Sequence, residues 1–305
     1  MTSVLFDVPG PKARRLSLIL SIAAGVLIAA GLAWIIWTLA QPREAAGGLV
    51  LPGYFDPSRW DIFLEPQVWR FIFVEGVWGT LRAALTASVL AVALGIVLSL
   101  LRSSQVAWVR IPTTVVIEFL RGMPVLLMML FILLVLQTGA FWAVVAALTL
   151  YNGALIGEAL RAGLASLPRG QREAGLSLGM RPLQSKMLVE FPQAFRQMLP
   201  IIIAQLVVLL KDTSLGYIVA YPELLRVMLN NLASFYGNRY LFSLFLVCLA
   251  LYLTMNLLLS WFARWVSKRT ASKSSGKRLD PEDPGQAVLV AQASAAARRS
   301  DQGSI

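Results

Sequence analysis

Histidine is absent from the chain, and Cys248 is the only cysteine among its 305 residues. These shortages exclude a disulfide framework and any metal site built from histidine and cysteine ligands. They also remove the most common general base, which argues against membrane-embedded hydrolysis by a Ser/His or Cys/His pair. We therefore expect no catalytic residues, no bound metal and no cofactor.

The chain also lacks a phosphate-binding loop of the form G-x-x-x-x-G-K-[ST]. Its single Gly-Lys pair, Gly276-Lys277, is followed by Arg278 instead of Ser or Thr. We therefore do not expect this chain to bind ATP itself through such a loop.

Charge is scarce as well, since 14% of the residues are charged and 57% are hydrophobic. This composition is too apolar for a soluble fold, and each apolar run of near 20 residues can cross a hydrocarbon core of about 30 Å. The first run is too long for a signal peptide, whose apolar region spans about 7–15 residues. The sequence predicts an all-α, polytopic membrane helical bundle in a lipid bilayer, with about six transmembrane helices at 16–40, 76–101, 111–136, 139–160, 197–221 and 240–265.

Composition divides the chain into three parts. Residues 1–75 hold an extra N-terminal transmembrane helix and an extracytoplasmic loop, and residues 76–266 form the main transmembrane domain. Residues 267–305 are rich in small, polar and charged residues, and we expect them to form a disordered cytoplasmic tail. No strand alternation is strong enough to predict a sheet.

The distribution of basic residues predicts the orientation. A net charge of +11 is compatible with nucleic-acid binding, but the basic residues follow the predicted membrane topology instead. The side that holds the N-terminus and the 102–110 connection carries 17 Lys and Arg, and the opposite side carries five. The positive-inside rule therefore places both termini of this multi-pass cell-membrane protein in the cytoplasm, and we expect no nucleic-acid partner.

Several charged residues also lie within the predicted spans or directly beside them: Glu118, Arg121, Glu158, Arg161, Lys211 and Asp212. Charge at this depth is energetically expensive and usually faces a bundle interior or water. Internal pairing that fixes helix packing and a direct role in a transport pathway are equally compatible with this pattern. An ion-coupled secondary transporter would use such pairs as a relay, although no repeated halves with broken helices support that alternative.

The segment 158–192 is more polar than the two long apolar runs that flank it, and it is interrupted by glycine and proline. Pro168 is suited to begin a short helix, Gly179 to end it in a left-handed conformation, and Pro182 to begin a second helix. A solvated linker is the simpler interpretation. The length of the segment and the small residues near its centre favour a docking element that another backbone approaches closely.

The same segment carries a spaced motif: Glu173-Ala174-Gly175, then Gly179 after three residues, then Val189-Glu190-Phe191-Pro192 after nine more. It resembles E-A-A, three residues, G, nine residues, I-x-L-P, the cytoplasmic signature of inner-membrane permease subunits of ABC importers. The Gly, Val and Phe residues depart from that signature. Other segments are similar to the polar amino-acid branch of this family, at 76–81, 119–124, 150–154, 158–163, 170–174 and 211–215.

This resemblance covers about 76–266 and implies the type I permease fold of ABC importers, with no enzymatic activity of its own. It implies an ABC ATPase subunit, a second permease subunit (a homologue or the chain itself) and an extracytoplasmic substrate-binding protein as partners. The implied cargo is a polar amino acid, glutamate or a related one, and a basic amino acid is the alternative.

The resemblance also assigns residues. Those implied to form a cytoplasmic coupling helix against the ATPase are Arg169, Gly170, Gln171, Arg172, Glu173, Ala174, Gly175 and Gly179. Candidates for the pathway or a gate are Glu118, Arg121, Asn152, Glu158, Arg161, Lys211, Asp212, Thr213 and Ser214.

Overall fold

A computed structural model of the protein describes residues 10–44 and 50–271. Helices form most of this part of the chain, as predicted, and π-helical segments lie within three of them. The helices are α1 (Pro11–Ala40), α2 (Pro66–Arg102), α3 (Ala107–Gly122), α4 (Val125–Leu134), α5 (Ala140–Ser166), α6 (Arg169–Ser177), α7 (Pro182–Tyr217), α8 (224–236) and α9 (Leu241–Ala271).

The described residues fall into two compact units. The first unit comprises 10–84, 138–144 and 213–253, and the second comprises 85–137, 145–212 and 254–271. Because α2, α5 and α9 continue from one unit into the other, the units are not separate lengths of chain.

Five helices of the described chain are long and apolar enough to cross a membrane: α1, α2, α5, α7 and α9. The predicted span over 111–136 is not one continuous helix, because α3 and α4 are bent by 100° at the break between them. Met123 and Pro124 have extended backbone angles there. A residue that precedes proline is disfavoured in the α conformation, which explains why α3 ends at Gly122.

Contacts between α2 and α5 show that these two helices run in parallel. A Cβ placed on Gly153 would lie 2.8 Å from a methyl carbon of Leu94, and one placed on Gly157 would lie 3.1 Å from the Cβ of Leu98. The contact therefore advances by four residues on both helices in the same direction. Since parallel neighbours require the chain to return between them, the segment that contains α3 and α4 supplies a sixth crossing.

Several predicted boundaries were wrong. The second and fifth spans begin at Pro66 and Pro182, earlier than predicted, because a proline is well suited to the first turn of a helix. The polar connection 222–239 contains α8. Two short antiparallel strands, β1 (Arg43–Glu44) and β2 (Val50–Leu51), pair with each other, although we predicted no sheet.

The predicted tail does not begin at residue 267, because α9 continues to Ala271. Most of the predicted tail, residues 272–305, lies outside the described residues, as does the start of the predicted N-terminal part, residues 1–9.

In the first unit, the connection after α7 packs on the start of α2. The Tyr221 hydroxyl donates a hydrogen bond of 2.8 Å to the Gly79 carbonyl, and the Leu224 N–H donates one of 3.0 Å to Thr80 Oγ1. A Cβ on Gly79 would lie 2.4 Å from the Pro222 carbonyl oxygen, so this position accommodates only glycine without displacement of backbone. The connection after α7 therefore packs directly on the segment 76–81, one of those noted in the sequence for its resemblance to the family.

No residue of α1 is buried within the described chain. The helix is attached at its C-terminal end, where the Tyr54 N–H donates a hydrogen bond of 2.9 Å to the Leu39 carbonyl. Its apolar surface is therefore available to lipid along nearly its whole length.

Candidate coupling loop and pathway residues

The helix α6 ends in the manner predicted for Gly179. This residue has φ +81°, and its N–H donates a hydrogen bond of 2.9 Å to the Leu176 carbonyl. The Met180 N–H reaches back 3.2 Å to the Gly175 carbonyl. This pair of hydrogen bonds is a Schellman motif, which satisfies the last carbonyls of the helix and requires a left-handed residue. The predicted stop signal is confirmed.

Gly175 contacts its own chain. A Cβ at this position would lie 2.6 Å from the Ser185 Oγ and 3.1 Å from the Ser185 Cβ, and Ser185 is fully buried. The small size of Gly175 therefore lets α6 pack on the start of α7. At Gly179, in contrast, an added Cβ would meet no atom within 4 Å, so that surface is open.

Hydrogen bonds attach the loop to neighbouring helices of the second unit. The Lys186 ammonium donates to the Ser103 carbonyl at 2.6 Å, directly after α2. Gln193 Nε2 in α7 donates to Gln171 Oε1 in α6 at 3.1 Å. The start of α7 is therefore held to the end of α2, and α6 is held to α7, so this segment is not a free linker.

Most residues implied to contact an ATPase are exposed. The backbone of Arg169 begins α6. The exposed members of the set are Gly170, Gln171, Arg172, Glu173, Ala174 and Gly179. Their exposed surface carries one basic and one acidic side chain, at Arg172 and Glu173, and is otherwise made of small or uncharged residues.

Four of the predicted pathway residues meet in one ion-pair network, and Arg102 joins them. Glu158 pairs at 2.6 Å with Arg102 and at 2.6 Å with Arg161. Glu118 pairs more loosely, at 3.2 Å with Arg102 and 3.5 Å with Arg121, and 55% of its side chain is exposed against 22% for Glu158. The network therefore joins α2, α3 and α5, and its shortest ion pairs are those of Glu158.

Asn152 is fully buried in α5 and forms a second polar contact. Its Nδ2 donates to the Leu148 carbonyl at 2.9 Å, and its Oδ1 accepts a hydrogen bond of 2.8 Å from Gln205 Nε2 in α7. This amide pair lies between two spans, where unpaired amides would be costly.

Lys211, Asp212, Thr213 and Ser214 mark the place where the α-helical part of α7 passes into a 3₁₀ turn. Lys211 is exposed, Asp212 and Ser214 are half-buried, and Thr213 is fully buried. Between residues 10–44 and 50–271, no group of three or more His, Cys, Asp or Glu side chains could hold a metal ion.

Glu223 is a fully buried carboxylate in the first unit. It accepts hydrogen bonds from the Leu225 N–H at 2.8 Å, the Arg226 N–H at 2.7 Å and the Tyr252 hydroxyl at 2.5 Å. Burial raises the pKa of Glu223 above its ordinary value, although these hydrogen bonds lower it in part. Glu223 caps α8 and joins this helix to α9.

Residues 77–272 match the family described as "Binding-protein-dependent transport system inner membrane component". The chain belongs to this family. It is a multi-pass permease of the ABC importer type, as the resemblance implied.

Curated relatives agree with this assignment. The chain is 37% identical over 248 residues to the glutamate transport system permease protein GluD of Corynebacterium glutamicum, covering 77% of this chain and 89% of that protein. It is 33% identical over 201 residues to the probable glutamine ABC transporter permease protein GlnP of Bacillus subtilis, covering 64% of this chain and 92% of that protein.

Solved structures share the permease fold. An amino acid ABC transporter with histidines superposes with a TM-score of 0.58 at 26% identity, covering 66% of this chain and 94% of that chain. The MetNI methionine ABC transporter, in an inward-facing conformation, gives a TM-score of 0.51 at 18% identity, covering 66% of this chain and 98% of that chain, and supports the fold alone.

Three side chains important to these contacts were not singled out from the sequence. Arg102 was counted only as a charge that sets orientation, and Glu223 only as part of a polar connection. Gln205 carried a usable signal, since it is a lone amide within the apolar run 201–210. The structure thus adds one partner to the charged network and one to Asn152.

Proposed function

We propose that this permease imports glutamate or a related polar amino acid. The observation that carries the proposal is the 37% identity to a glutamate transport permease across 77% of the chain. Other relatives are named for glutamate and aspartate import, such as GltK of Escherichia coli at 29% identity over 65% of this chain. An arginine permease of Bacillus subtilis, ArtQ, is 33% identical over 53% of the chain, which makes a basic amino acid the competing cargo.

The proposed assembly contains an ABC ATPase subunit, an extracytoplasmic substrate-binding protein and a second permease subunit. The excess of basic residues on one side supports a cytoplasmic location for α6 and both termini, where the ATPase would be. ATP hydrolysis then takes place on the partner chain, and this chain supplies the pathway.

The loop geometry supports α6 as the coupling helix. The position just after its C-terminal end, Gly179, is exposed and open, so a partner could pack closely there. The face of α6 that packs on its own chain is held there by the close approach of Gly175 to Ser185. Because Lys186 also binds the end of α2 at Ser103, a displacement of α6 would be transmitted to both α2 and α7.

Two groups of pathway candidates are given different roles. The network around Glu158 joins α2 to α5 by a short ion pair and α3 to α2 by a looser one, so we assign it to fixing the helix arrangement at a gate. Asn152 with its partner Gln205, and the polar run 211–214 at the end of the α-helical part of α7, remain the candidates for contact with cargo.

Reconstitution tests the proposal. The chain would be reconstituted in vesicles with its ATPase. The substrate-binding protein, loaded in separate experiments with glutamate, arginine or glutamine, would be added on the side of the membrane opposite the ATPase. We expect ATP-dependent uptake of labelled glutamate, with ATP turnover stimulated by the loaded binding protein. Uptake of arginine but not glutamate would contradict the cargo alone, whereas uptake driven by an ion gradient without the ATPase would contradict the importer mechanism.

A further inference from the structure

The helix α3 carries an exposed apolar stripe that no other part of the described chain covers. The stripe consists of Trp108, Ile111, Val115 and Phe119, which follow one another at intervals of three or four residues and so lie on one face. These side chains are between 59% and 90% exposed. The buried residues of α3 lie on the opposite face, at Thr113, Ile117 and Leu120.

The charged residues of α3, together with Thr114, lie on one flank between these two faces, and the polar Thr113 is buried on the opposite face. The residues of this flank are Arg110, Thr114, Glu118 and Arg121, and they extend over about 16 Å of the helix at 1.5 Å per residue. The other flank carries Val109 and Val116. A helix that spanned a bilayer would place these charges at several depths in the hydrocarbon, which is costly, whereas a helix parallel to the surface places all of them at one depth.

The geometry of the chain favours the second arrangement. Since α2 and α5 are parallel, the return crossing lies between them, and α3 is bent by 100° from α4. Glu118 lies eleven residues into α3 and still pairs at 3.2 Å with Arg102, the last residue of α2. The far part of α3 has therefore stayed near the level at which α2 ends.

We propose that α3 lies in the bilayer interface at the Arg102 end of α2, with the stripe in the acyl region of that leaflet and the polar flank towards the headgroups and water. The partner of this surface is lipid, as expected for an amphipathic interfacial helix with an aromatic residue near one end. The crossing itself is then made by α4 and its flanking residues. The α-helical part of this crossing, Val125–Leu134, is about 15 Å long, so the residues that flank it supply the rest of a hydrocarbon core of about 30 Å.

Depth measurements on spin-labelled protein test this. With Cys248 replaced by Ala, the full chain in complex with its ATPase would be reconstituted into vesicles. Single cysteines would be placed on the stripe at Trp108, Ile111, Val115 and Phe119. A matched set in α1 has the same spacing and is exposed throughout: Leu16, Ile19, Ala23 and Leu27. The relative accessibility of each label to oxygen and to a nickel chelate gives its depth.

We expect the four α3 labels to lie at one depth within about 4 Å, while the α1 labels span about 16 Å. A gradient in α3 equal to that in α1 would overturn the proposal, because α3 would then cross the bilayer. Free access of the nickel chelate to all four labels would place the stripe in water, and protection from both reagents would mean that protein covers it. Either result would also overturn the proposal.

Discussion

Substitution of Gly179 separates backbone strain from the fit to a partner. A side chain at φ +81° costs about 1 kcal/mol for most L residues, because the left-handed conformation is unfavourable with a Cβ. No atom of this chain lies within 4 Å of the added Cβ, so in the chain alone alanine and leucine should cost nearly the same. Asparagine tolerates this conformation better and should cost less.

The ATPase complex should distinguish these variants. If Gly179 packs into a cleft of the ATPase, leucine adds an overpacking cost of about 1–3 kcal/mol to the strain, which corresponds to a further loss of affinity of roughly 5- to 150-fold. We expect Gly179→Ala to weaken the ATPase mildly, and Gly179→Leu to weaken it strongly and to abolish cargo-stimulated ATP hydrolysis. Expression and membrane insertion should stay near normal, since the loop lies outside the predicted spans.

The measurements are the dissociation constant of the ATPase for each variant and ATP turnover in the reconstituted complex. Gly175→Ala serves as a control inside the same helix, because its added Cβ would collide with Ser185 of the same chain and loosen the loop without adding bulk towards a partner. Equal affinity for the alanine and leucine variants, or full coupling in Gly179→Leu, would refute the idea that a partner packs on this position.

Three other predictions concern topology, the ion pairs and pH. With the native cysteine replaced, Ser58→Cys should be labelled from outside intact cells and Gln105→Cys should not, and the reverse pattern would contradict the orientation. Glu158→Gln should lower the free energy of unfolding by about 1–3 kcal/mol, because Glu158 is largely buried between two arginines. Glu118→Gln should lower it by less than about 1 kcal/mol, since that side chain is 55% exposed, and equal losses would contradict the ranking. Burial raises the pKa of the Glu223 carboxyl above 4.5, so its contribution to stability is complete below that pH and is lost as the pH rises through the raised pKa. The difference in unfolding temperature between wild type and Glu223→Gln should therefore fall above pH 4.5, and a constant difference would show that this carboxyl does not titrate there.

Local chemistry explains which features could be predicted from the sequence. The left-handed stop at Gly179 and the helix start at Pro182 depend on the conformational limits of single residues, so they can be predicted from residue type and spacing. The break at Met123-Pro124 carried the same kind of signal, but the apolar run continues through it and hides the bend. Hydrophobicity indicates that a segment lies in the membrane, but it does not indicate the direction in which the helix axis runs.

Partners could not be predicted, because they depend on distant parts of the chain. Arg102 and Glu158 are 56 positions apart, and Asn152 and Gln205 are 53 apart, so nothing local identifies either pair. The same holds for Gly175, whose spacing indicated a close neighbour without revealing that the neighbour is Ser185 of the same chain.

The isolation of α1 has a consequence for how this permease can change over evolutionary time. Except at its attached C-terminal end, a helix with no buried residue imposes no shape requirement on the rest of the chain, so its sequence is free to drift as long as it stays apolar and long enough to insert. Such a segment can be gained or replaced without redesign of the domain that follows it. It could therefore acquire a role of its own, such as recruitment to a particular assembly, while the transport machinery remains unchanged.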